Sequence, residues 1–84
     1  MQIMMYAIVS KEQCQKIGID STHRMTHGDS VVITDKELMF STAEGKTLEE
    51  KAKNINAILA TSEKVMMWNT ACKTGNNGKE VLNG

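Results

Sequence analysis

Three groups of residues in this chain could do chemistry, and each would do a different kind. Gly45, Lys46 and Thr47 open the stretch GKTLEEKAKNINAILA. A glycine, free backbone N–H groups at a helix start and a lysine can together hold an anion or phosphate. A full phosphate-wrapping loop reads G-x-x-x-x-G-K-[ST], and Phe40 stands where its first glycine belongs. That side chain denies the loop its tight wrap, and Glu49 and Glu50 in the next turn work against an anion. The residues point to a helix start, with anion binding at Gly45, Lys46 and Thr47 as the lesser reading.

His23 and His27 form the second group, four apart, with Asp20, Arg24 and Asp29 nearby. On a helix this spacing puts two imidazoles on one face, as a metal pair requires. No third ligand is evident and no HExxH occurs. The surrounding IDSTHRMTHGDS is polar and irregular, so solvated loop histidines are the plain expectation. Metal binding at His23 and His27, or a small enzyme with its pocket between this loop and the sheet, are the alternatives.

Tyr6, Phe40 and Trp68 are the only aromatics besides the histidines, one on each of three expected strands. RNA-recognition sheets stack bases on such residues, but ELMFS at 37–41 lacks the K/R-G-F/Y-G/A-F pattern. Basic and acidic residues balance at ten each, and Arg24 is the sole arginine. Nucleic-acid binding is therefore disfavoured. A nucleic-acid or anion-binding module using Lys46, Lys51, Lys53 and the sheet aromatics is the runner-up. No Ser/His/Asp or Cys/His arrangement stands out, so no catalytic residue and no cofactor is assigned. Cys14 and Cys72 lie far apart without a CxxC, which reads as two reduced thiols in a cytoplasmic protein. The apolar run Ile3–Val9 is too short to span a membrane and lacks the charged flank of a signal peptide.

The elements that must position these groups follow from periodicity. Ile3–Val9 suits a central strand, apolar on both faces. Ser10 and Gln13 make a capping pattern for a short helix ended by Gly18. Residues 19–30 read as a loop. Val31–Thr34 and Glu37–Ser41 read as a hairpin, while the alternative is a helix opened by a Thr34–Glu37 capping box. Thr47 and Glu50 start the clearest helix, whose stripe is Leu48, Ala52, Ile55 and Leu59. Val65–Trp68 reads as a last strand, with a helix over Glu63–Lys73 as the alternative. Residues 1–72 form one domain and 73–84 a Gly/Asn-rich tail.

This order is βαββαβ: an α+β, split βαβ, ferredoxin-like two-layer sandwich, with two helices on one face of a mainly antiparallel sheet. Both faces of the expected strands are apolar, so the uncovered face needs an occupant. The leading expectation is a non-enzymatic module that forms a homodimer or binds a protein partner through that face. Tyr6, Phe40, Met66, Met67 and Trp68 are its interface candidates.

Overall fold

The computed structural model describes residues 5–75 and 78–83. Ile3 and Met4 of the first expected strand, and positions 76, 77 and 84 of the expected tail, lie outside them. The chain begins with strand β1 (Met5–Ser10) and helix α1 (Lys11–Lys16), where the Ser10 hydroxyl accepts the Gln13 N–H. A hairpin follows, β2 (Thr26–His27) and β3 (Ser30–Thr34), closed by the two-residue turn Gly28-Asp29. Then come α2 (Asp35–Met39), α3 (Leu48–Asn54), β4 (Ile58–Thr61), α4 (Ser62–Lys73) and α5 (Gly78–Asn83).

Four element assignments differ from expectation. The hairpin expected over Val31–Ser41 does not form. Thr34 and Glu37 make a reciprocal capping box instead: the Thr34 hydroxyl accepts the Glu37 N–H and the Glu37 carboxylate accepts the Thr34 N–H. Both otherwise unpaired donors are satisfied, so residues 35–39 become helix. The strand β3 pairs with β2, inside what reads as a loop. The clearest expected helix also stops early, at Asn54. Ile55 caps it and Asn56 turns left-handed at φ 55°, which releases Ile58–Thr61 as a strand. Leu59 thus belongs to the sheet. The strand expected at Val65–Trp68 is the middle of α4, whose N-cap Thr61 accepts the Lys64 N–H.

The sheet is four-stranded and antiparallel, in the order β2-β3-β1-β4. Tyr6 pairs with Thr34 on one side and Ala60 on the other, which fixes the register. Alternation along β1 then divides the core in two. Ala7 and Val9, with Val31 and Ile33, pack under α1, α2 and α3 against Cys14, Leu38 and Ala52. Ile8, Val32 and Ala60 pack on the other side against Val65 and Trp68 of α4, with Val81 and Leu82 of α5 beside them. The expected two-layer sandwich is therefore three layers deep. Sequence alone leaves the second face awaiting an occupant, whether a second copy, a partner, a ligand or the chain's own tail; in the structure this chain's own α4 and α5 cover it. The α+β class and the antiparallel sheet are as expected.

Close contact fixes α5 in place. A Cβ on Gly78 would come within 2.7 Å of the Cys72 sulfur and 2.8 Å of Trp68 Cδ1. Only the absence of a side chain lets the start of α5 lie this near the indole.

Candidate functional site

The loop between α1 and β2 carries most of the polar structure. Asp20 accepts the Thr22 N–H and hydroxyl, each at 2.9 Å, and these bonds hold its carboxyl below the ordinary value. His23 then turns left-handed at φ 59°. Arg24 follows, with Nε donating to the Asp20 carbonyl at 2.6 Å and Nη1 to Glu37 Oε1 at 2.7 Å. Nη2 meets Glu37 Oε2, so the pair is a two-pronged fork between half-buried side chains. Chiefly because of this fork, the Glu37 carboxyl is held below its ordinary value, with the bonds from Thr34 adding to it and burial opposing it. The same bond raises Arg24. Glu37 thus caps α2 and clamps the 20–25 loop at once.

Beside this clamp is a cleft of about 310 Å³. Its lining is mostly apolar: Tyr6, Met25, Val32, Ile33, Val65 and Met66. Its polar lining residues are His23, Arg24, Thr34 and Ser62, the last from the first turn of α4. Elements from both ends of the sequence therefore build one concavity. Its place, between the histidine loop and the sheet, is where the sequence raises a pocket as an alternative.

The two histidines do not act together. His23 is exposed in its turn. His27 sits on β2, its Nε2 2.5 Å from Asn69 Oδ1 and its ring edge-on to Trp68 at 5.0 Å. Asn69 Oδ1 is an acceptor, so the ring N–H is assigned to Nε2. His27 thereby ties the edge strand to α4. Among the described residues, no group of three or more His, Cys, Asp or Glu side chains could hold a metal ion.

Gly45, Lys46 and Thr47 do open α3, but the groups an anion would use are engaged. Glu50 Oε2 accepts the Lys46 N–H at 3.1 Å, and Thr47 Oγ1 accepts the Glu50 N–H. A Cβ at Gly45 would lie 2.8 Å from Glu50 Cβ and 2.9 Å from the Lys51 nitrogen. The glycine serves the close approach of the loop to its helix. Lys51 is buried, and its ammonium donates to the Ala43 carbonyl at 2.8 Å and the Ser41 carbonyl at 3.3 Å. Asn54 donates to the Glu44 carbonyl. Lys46 and Lys53 remain exposed.

The five aromatic and methionine candidates separate. Trp68 is 4% exposed and central to the second core, and Tyr6 is half-buried against it. Phe40 is 88% exposed just beyond α2, with Met39 beside it. Met66 and Met67 on α4 are 58% and 57% exposed. Met66, Met67 and Val81 also line a shallow groove between α4 and α5. Cys14 and Cys72 are free and lie in the two cores on opposite sides of the sheet. Burial pushes the Cys14 thiol up.

Arg24, Ser62 and Asn69 have no signature in the sequence. Arg24 and Glu37 meet across thirteen positions, and only the capping half of Glu37's role is a local pattern. Among the described residues, no helix is long and apolar enough to cross a membrane. The chain matches no protein-family model, no curated protein and no solved structure.

Proposed function

We propose that this chain is a non-catalytic module that binds a protein chain through apolar residues displayed outside its own core, with Phe40 as the anchor. One observation carries the reading: a phenylalanine 88% exposed on a backbone that is held from both sides. The Phe40 N–H donates to the Lys36 carbonyl, and the Ser41 N–H to the Leu38 carbonyl. Lys51 and the Ser41 hydroxyl fix the following turn through Ala43. A large side chain on an ordered backbone loses little further freedom when a partner receives it, which is how interface anchors act. Met66 and Met67 offer a second, more adaptable surface.

Two further inferences belong to this reading. The antiparallel order β2-β3-β1-β4, with α1 and the α2–α3 pair over one face, supports a split βαβ, ferredoxin-like core to which α4 and α5 are added. Two cysteines in a short chain without a disulfide accord with residence in a reducing compartment such as the cytoplasm.

The test is a photoreactive phenylalanine analogue at position 40, compared with the same analogue at exposed position 49. A discrete covalent product in cells at 40 and not at 49 is the expected result. A product of twice the chain mass identifies a second copy as the partner. Equal yields at the two positions overturn the reading.

A further inference from the structure

We propose that the cleft between the 23–25 loop, strands β1 and β3 and the first turn of α4 binds a small aromatic carboxylate. The size comes first. About 310 Å³ is at the small end of ligand sites, which suits a molecule of one or two rings. The apolar lining selects the body of the ligand. Tyr6 with the thioethers of Met25 and Met66 offers edge and sulfur contacts that favour an aromatic ring, and Val32 and Val65 complete an apolar bed.

The polar lining selects the charge. The charged or chargeable side chains lining the cleft, besides the Tyr6 phenol, are His23 and Arg24, and no Asp or Glu among the described residues lines it. A cationic ligand would find no counter-charge. The Arg24 guanidinium has five N–H protons. One goes to the Asp20 carbonyl and two to Glu37, so one proton on each terminal nitrogen has no acceptor among the described residues. The fork holds the guanidinium in one place, so a ligand that reaches it need not order the side chain. The Ser62 hydroxyl, also in the lining, supplies a further donor. Because Glu37 already shares the Arg24 charge, the site suits a monoanion bound by hydrogen bonds rather than a phosphate dianion. Thr34 contributes shape alone, since its hydroxyl is engaged with Glu37.

The experiment is an amide NMR titration of the full chain with phenylacetate, set against 2-phenylethanol, which keeps the ring and loses the carboxylate. Saturable shifts centred on Met25 and Ser62 are expected with phenylacetate, and at least tenfold weaker binding of the alcohol. Ser62→Asp puts a carboxylate in the lining at a helix first turn, where acidic residues are well tolerated. It should retain a dispersed amide spectrum and lose phenylacetate binding at least tenfold. His23→Asn, compatible with the left-handed turn, should weaken it severalfold. The proposal is overturned by unsaturable shifts, by shifts centred on the α4–α5 groove, by equal affinity for the alcohol, or by wild-type binding in Ser62→Asp. Position 40 takes no part, so this result and the Phe40 crosslink stand or fall separately.

Discussion

Glu37 accepts from four donors on three sides, the Thr34 N–H and hydroxyl and both terminal nitrogens of Arg24. Its folded carboxyl therefore releases its proton more readily than in the unfolded chain. The sign follows: where the unfolded state binds more protons, stability rises with pH. The contribution is fully present above the unfolded carboxylate's value of about 4.3, and it is lost as pH falls toward and through the folded value. Thermal unfolding followed from neutral pH into this acid range should show the loss, and Glu37→Gln should flatten that part of the slope. At neutral pH the same substitution should cost about 1–2 kcal/mol, the scale of a half-buried ion pair losing one partner. An unchanged acid slope would mean that other carboxylates carry it. Lys51 shows a different logic at the same scale: a buried ammonium satisfied by two loop carbonyls stabilises the turn beyond Phe40, although the sequence offers it as a candidate for an anion.

Among the elements, two helix starts, at Ser10 and Thr47, are legible outright, and the Thr34 cap is legible as the alternative to a hairpin. Ser10, Thr34, Thr47 and Thr61 all cap helices, each accepting the N–H three residues on, and Thr61 alone among them reads from the sequence as part of a turn. A cap is a contact within one turn, so its signal lies within four residues of sequence. Helix ends and strand choices were less legible because they depend on distant partners. Leu59 satisfies a helical stripe as well as a strand, and the left-handed turn at Asn56 decides between them. Thr26–His27 carries no apolar alternation; it is a strand because β3 presents an open edge to it. The GD pair after His27 was the available clue, being a known two-residue hairpin turn. The candidate site was legible only as a region. The sequence points to the histidine loop, while the Arg24–Glu37 clamp beside the cleft joins residues too far apart to leave a pattern. Val81 and Leu82 read as able to dock, but as a short edge; that they do so on a helix was not legible, since Gly78 in a Gly/Asn-rich stretch reads as a turn. Gly78→Val should displace α5 from Trp68, with a red shift of the chain's single tryptophan and a loss of about 1–3 kcal/mol, the range for overpacking. Unshifted emission would show that the contact is not needed to seat the helix.

At the scale of the whole molecule, both sheet faces are apolar because both are interior. Cysteine, leucine and alanine fill one side, and tryptophan, valine and alanine the other. The sequence showed that the second face had to be covered; it did not show that residues 62–83 did so, because one stretch of them read as strand and another as tail. A chain ended after Thr61 tests this division. It keeps all four strands and the first three helices, yet leaves Ile8, Val32 and Ala60 open. It should sediment as oligomers or aggregate, whereas the full chain should not depend on its own concentration for secondary structure. A well-dispersed monomer from the shortened chain would show the first core to be sufficient.

The covering helices are also the last described part of the chain to be synthesised. On a ribosome the strands emerge first, and domains assemble as their residues become available. Until α4 and α5 follow, the growing chain exposes Ile8, Val32 and Ala60 on one flat side. For that interval a chaperone or a neighbouring nascent chain can compete for the same surface. The pace of translation over residues 62–83 would then influence yield, through a face that the folded molecule keeps covered.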